Sequence, residues 1–272
     1  MKSIQSALIW AANGVLVLSW LPLLAVVRLF DRDPAHYTTG RVFRKVGDAM
    51  TRVNPLWNVH VEGNLPADPR HPYVVVSNHQ SLADIPVISR LPWEMKWVAK
   101  IELFRLPIAG WLMRLAGDIA VDRSDPKSRS RVLVAAHRYL RERCSVMFFP
   151  EGTRSRDGRV RSFAPGAFRL AIDAGVPILP LAVDGTRDAL PKHGWKFGTA
   201  IDARLRVLPP VSTDGLTTDD ADALRDRVRQ SIIAQIAAWR GMSPADVDTL
   251  AVSDGGADGR SARPVEETAK LD

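Results

Sequence analysis

The sequence predicts an α/β fold, a layered and mostly buried β-sheet flanked by helices, preceded by a hydrophobic, membrane-anchoring helical segment at the N-terminus. Two observations predict it. Between Tyr73 and Trp239, short β-branched runs alternate with stretches of helical period, the pattern of strands covered on both faces by helices. Ahead of them, residues 3–27 carry no charge and are long enough to cross a hydrocarbon core of about 30 Å. The 272 residues, 46% of them apolar, suit one globular unit with extensions. The expected division is an anchor at 1–31, a globular domain at 32–240 and a flexible tail at 241–272, its last part disordered for want of apolar periodicity.

The hydrophobic segment lies between Lys2 and Arg28, and no small-x-small site precedes the charged residues beyond it, so it reads as a retained anchor. Pro22 leaves two options, a spanning helix or a short hairpin embedded in one leaflet. Arg28, Arg32, Arg41, Arg44 and Lys45 follow, which places the domain on the cytoplasmic side of the inner membrane, near anionic headgroups.

Within the domain, "YVVVS" (73–77) reads as a buried strand, "LADIPVISRL" as a short helix and "MKWVA" (95–99) as an alternating strand. Next come a helix "LPIAGWLMRLAG" closed by Gly117, the strand "DIAV", a helix over 127–143 and the strand "VMFFP". A helix "GAFRLAIDAG" ends at Gly175, "VPILPLAV" (176–183) returns to strand, and "TTDDADALRDRVRQSIIAQIAAWR" is a helix opened by hydroxyl and acidic residues. Cys144, the one cysteine, rules out a disulfide framework and reads as a buried, inert thiol.

The net charge of +7 suits a phosphate-bearing partner, and does not by itself choose among nucleic acid, anionic lipid and a phosphorylated substrate. No reader motif with aromatic platforms supports nucleic acid, and no P-loop is present. A G-x-S-x-G elbow is absent, and neither an H-E-x-x-H pattern nor a further histidine in the stretch beside His79 and Asp84 completes a metal site.

Chemistry concentrates in two stretches. In "SNHQSLADIP" (77–86), Ser81 and Asp84 fit an S-x-x-D capping pattern, which leaves His79 unexplained. His79 and Asp84 lie about 140° apart on a regular helix, so they meet only if His79 sits in the turn before the helix and Asp84 folds back from its first turn. One imidazole nitrogen is then held and the other is free to act as a base. In "FFPEGTRSRDG" (148–158), Arg154 beside small residues suits a bidentate grip on a phosphate monoester; the alternative is a charged surface turn. Lys100 and Arg123 each follow a strand and are expected to converge with Arg154 on one sheet edge. Phe104, Leu106, Ile108, Trp111, Leu112 and Met113 read either as ordinary core or as an apolar groove for an acyl chain.

In order, "NHQSLAD", "KIELFRLPIAGW" with "VDR", "FPEGTRS" and "VPILPLAV" resemble the four sequence blocks of the lysophospholipid and glycerol-phosphate acyltransferases, most closely the bacterial 1-acyl-sn-glycerol-3-phosphate acyltransferases. The likeness covers about residues 72–185, and H-x4-D followed by F-P-E-G-T-R is its specific part. It implies that 32–240 is a catalytic domain, with His79 as general base and Asp84 orienting it. It further implies that Glu151, Gly152, Thr153 and Arg154 bind the glycerol-phosphate part of the acceptor, with Lys100 and Arg123 helping to hold phosphate. Lysophosphatidic acid would be the acceptor and acyl-CoA or acyl carrier protein the donor, with membrane lipids as surroundings and with no bound cofactor, metal or nucleic acid. Backbone N–H groups at the junction after His79 are the expected oxyanion donors.

Overall fold

A computed structural model describes residues 2–190, 195–197 and 200–251. Seven strands form one sheet: β1 (Trp57–Gly63), β2 (Val74–Ser77), β3 (Met95–Lys100), β4 (Ile119–Val121), β5 (Ser145–Phe148), β6 (Ile178–Asp184) and β7 (Ile201–Val207), in the order β1-β7-β6-β2-β5-β3-β4. All pairings are parallel except β6 with β7. The central strands are apolar on both sides because helices cover both faces; every residue of β2 is buried.

One face carries α6 (Pro126–Arg141), α7 (Gly166–Ala174) and α8 (Ala221–Arg240), which pack Val132, Phe168 and Ile232 against Val74, Val76 and Val146. The other carries α3 (Asp84–Ile88), whose Val87 and Ile88 meet Val75, Met147 and Leu179. Outside α3 lies α2 (Tyr37–Val53), which also touches α5 (Ala109–Ala116); the short α4 (Ile101–Phe104) precedes α5. Helix ends follow the punctuation in the sequence: Asp125 caps α6 through the Lys127 amide with Pro126 in the first turn, and Gly117, Gly175 and Gly241 take left-handed conformations at C-termini.

Helix α1 (Lys2–Phe30) runs unbroken through Pro22, so the segment does not split at that residue. Nor does it stand apart from the domain. It packs on α2 and α5; the Trp20 indole donates to the Val42 carbonyl, and Ser6 Oγ accepts the Phe197 amide. The turn back into α2 is fixed by Asp31, whose Oδ2 accepts both the amide and the hydroxyl of Thr39.

A buried ionic cluster docks α2 onto the sheet. Lys96 Nζ donates to Glu94 and to the carbonyls of His36 and Ala116, while Arg44 of α2 bonds Asp118 and lies 3.5 Å from Glu94. The expected flexible tail begins too early at 241. Residues 244–247 form α9 (Pro244–Val247), Val247 is fully buried, and Asp248 is gripped bidentately by Arg229, which also bonds the Val160 and Arg161 carbonyls. The expected disorder of 253–272 falls outside the described residues.

Candidate active site

The parallel strands bring the two sequence stretches together. Val76 of β2 is in register with Phe148 of β5, and Ser77 with Leu181 of β6, so the turns beyond these three strand ends are neighbours. His79 lies in the turn after β2, Glu151 in the turn after β5 and Thr186 in the turn after β6. This is the carboxyl end of parallel strands, where α/β sheets place their sites.

Asp84, fully buried at the start of α3, folds back to His79, with Nδ1 2.7 Å from Oδ2. The same oxygen accepts the amides of Gln80 at 2.7 Å and Ser81 at 3.0 Å, and Thr186 Oγ1 donates to Oδ1. Capping and dyad therefore coexist: the carboxylate that ties down the amides before α3 also orients the imidazole. His79 stacks on Phe149 with centroids 4.0 Å apart, and its Nε2 has no hydrogen-bond partner among the described residues. Asn78 clamps both backbone groups of Val183, and Gln80 reaches Asp184, which Arg240 also grips, so the turn is pinned to β6.

Glu151, expected among the acceptor-binding groups, is turned onto the backbone. Its Oε1 accepts the His79 amide at 2.7 Å and its Oε2 the Arg161 amide at 3.2 Å, and the residue is 9% exposed. Burial raises its carboxyl to about 7, against the two amide donors that favour the ionised form. The Ser155 amide donates to the His79 carbonyl, so the turn after β5 holds both backbone groups of the histidine. The expected oxyanion donors are occupied as well: the N–H groups of His79, Gln80 and Ser81 all end on carboxylates.

Two cavities flank this arrangement. One, of about 490 Å³, is lined by Gln80, Ser81, Thr153, Arg154, Arg156 and Arg187. The other, of about 330 Å³, is apolar; Val98, Val121, Val132, Phe148, Phe149 and Ala167 line it, with Gly152, Arg123 and Arg129. The turn at 152–154 divides them.

Lys100, Arg123 and Arg154 do not line a common cavity. In the strand order, β3 and the edge strand β4 lie beyond β5, which puts Arg123 at the apolar cavity; Lys100 is half exposed, pairs with Glu102 at 3.1 Å and lines neither. Of the apolar residues after Lys100, Phe104 and Leu112 are core, Leu106 and Trp111 are about half exposed, and none lines the cavity beside Phe149. Cys144 is buried with its thiol pushed up to about 12, which keeps it unreactive.

Thr186, Phe149 and Arg187 join the site without a sequence argument for them, while Arg156 joins it from the quoted turn 148–158. Phe149 stands inside the quoted "FFPEGTR" but reads there as strand, and Thr186 carries no local signal, being 102 residues from Asp84.

Residues 57–184 match the family model described as Acyltransferase. The chain's likeness is to 1-acyl-sn-glycerol-3-phosphate acyltransferases. The alpha enzyme of that name from Mus musculus is 41% identical over 177 residues, covering 64% of this chain and 62% of the relative. The chloroplastic LPAT1 enzyme of that name from Arabidopsis thaliana is 37% identical over 61% of this chain and 46% of its own length. The chain thus spans less than two thirds of either curated relative. The solved structure of the 1-acyl-sn-glycerophosphate (LPA) acyltransferase PlsC from Thermotoga maritima superposes with a TM-score of 0.67 at 27% identity, covering 85% of this chain and 95% of that one.

Proposed function

We propose that the protein transfers a fatty acyl group from an acyl thioester, on coenzyme A or acyl carrier protein, to the sn-2 hydroxyl of lysophosphatidic acid, forming phosphatidic acid at the cytoplasmic face of the inner membrane. The observation that carries this reading is the His79–Asp84 pair, oriented by four hydrogen bonds to one buried carboxylate and set between an apolar and an arginine-lined cavity.

His79 Nε2 removes the hydroxyl proton as the oxygen attacks the thioester carbonyl. The C–O bond forms, the C–S bond breaks, and the proton passes from the imidazolium to the departing thiolate, so no acyl-enzyme intervenes and no bound cofactor is required. Base catalysis of this kind contributes roughly 10²–10⁴-fold. Asp84 orients the ring and stabilises the imidazolium, the part an acid plays in a triad, with the substrate hydroxyl in place of serine. Arg154, with Arg156 and Arg187, holds the acceptor phosphate, and the apolar cavity takes acyl chain beside Phe149. Donors for the oxyanion come from the 152–154 turn, where the Thr153 and Arg154 N–H groups make no hydrogen bond to a described residue.

The test is labelled acyl transfer by wild-type protein in membranes, from each donor to a panel of acceptors. Phosphatidic acid formed from lysophosphatidic acid is the expected product. Transfer only to glycerol-3-phosphate or another lyso-lipid would replace the acceptor assignment, and transfer to none would remove the reading.

A further inference from the structure

Helix α6 has two unlike sides. Val132, Ala136, Tyr139 and Leu140 go into the core, while Leu133 and Val134 stand out from the surface, 38% and 73% exposed. Around this apolar pair are Arg129 and Arg141 of the same helix and Arg169 of α7, all exposed and none ion-paired with a described residue. Leu133, Val134, His137, Arg141, Arg169 and Asp173 line a groove of about 420 Å³ between α6 and α7. Leu133 also lines the apolar cavity beside Phe149, so this one side chain borders both groove and cavity, with Arg129 on the cavity side. Asp173 is the one carboxylate in that lining.

An apolar centre ringed by unpaired guanidinium groups is complementary to a protein surface that is acidic with an apolar patch. A compact polyanion such as a nucleotide would call for cations converging in one pocket; these are spread over two helices. A membrane is disfavoured by position, because the exposed apolar helix α1 packs mainly on α2 and α5, and α6 and α7 are not among its main partners.

We infer that the α6–α7 face docks an acidic acyl carrier protein, whose thioester-linked arm enters the apolar cavity past Leu133 and Arg129 toward His79. This rests on the acyl-transfer reading and assigns its protein partner and the surface that partner uses. Arg141, Arg169 and Val134 lie outside both cavities that flank His79, so they affect docking and not the chemistry.

Palmitoyl-loaded acyl carrier protein is immobilised and binding of detergent-solubilised full-length protein is measured, with kcat/KM determined for palmitoyl carrier protein and for palmitoyl-CoA. The Arg141→Glu/Arg169→Glu double variant and, separately, Val134→Glu weaken binding and lower kcat/KM with the carrier-protein donor by about tenfold or more, while the palmitoyl-CoA value stays within about twofold. Because all three side chains are exposed, the variants fold, and unchanged circular dichroism checks it. Wild type that does not bind the carrier protein, variants that bind it as well as wild type, or equal losses with both donors would overturn the inference. So would variants that lose only binding to vesicles containing phosphatidylglycerol, which would make the face a lipid contact. Failure of the acyl-transfer reading shows separately, as wild type inactive with both donors, while the binding measurement still reads the surface.

Discussion

At the scale of single residues, Asp84 is the most constrained group in the site, since both its oxygens are engaged by four donors from two turns. Thr186→Val keeps the shape and removes one of them. A hydrogen bond to a buried carboxylate is worth roughly 1.5–3 kcal/mol, so kcat is expected to fall about tenfold or more with the acceptor KM unchanged, in steady-state kinetics. Arg154→Ala is expected to do the opposite and raise the acceptor KM; an unchanged KM would remove its phosphate role. Glu151 gives a pH signature. Its folded carboxyl stands near 7 against an ordinary 4.5, so the folded state binds the extra proton, and stability falls as pH rises from 4.5 through 7. The span corresponds to roughly 3 kcal/mol, and thermal melts of wild type minus Glu151→Gln should carry that slope. The variant should also lower kcat, because a glutamine offers one acceptor oxygen to two amides. His79 with Asp84 was legible in the sequence because a five-residue spacing is local. Glu151 under His79, and Thr186 on Asp84, were not, because they depend on β5 and β6 both flanking β2.

At the scale of elements, the β2-to-α8 alternation is readable from periodicity, glycine stops and caps, whereas α2 and its docking are not. Helix α2 begins at a left-handed His36 with no side-chain cap and contains Gly40 and Gly47. Those glycines serve contact rather than helix propensity: a Cβ on Gly40 would lie 2.0 Å from Glu94 Oε1, and one on Gly47 2.6 Å from Ser89 Cβ. Beneath them, Lys96 and Glu94 are fully buried, and Arg44 and Asp118 complete the cluster. Lys96→Met leaves Glu94 with Arg44 alone at 3.5 Å and is expected to destabilise by roughly 3–5 kcal/mol in chemical denaturation. Adding Glu94→Leu should recover a large part of the loss, and failure to do so would show that the cluster acts through shape and not through charge.

At the scale of the whole molecule, α1 turns Leu8, Val15, Leu18 and Val26 outward while Ile9 and Leu24 are buried against the domain. An apolar helix that is both docked and exposed is suited to a membrane surface, which would give the proposed reaction access to its lipid acceptor. The triple variant Leu8→Glu/Val15→Glu/Val26→Glu should move the protein from the membrane to the soluble fraction on centrifugation. Its activity toward a detergent-dispersed acceptor should persist, because none of the three residues lines either cavity beside the site. Length and composition made this segment legible; that it lies along α2 and α5 was not, since the apolar residues that bury and those that face outward are chemically alike.

The most direct measurement is the turnover of labelled acyl thioester and lysophosphatidic acid by wild type and by His79→Ala, with the fold of the variant checked by its melting curve. Loss of kcat by about two orders of magnitude or more, with the acceptor KM little changed, is the expected result. Phosphatidic acid formed by the folded variant at the wild-type rate would contradict it, and would reduce His79 and Asp84 to the turn that starts α3.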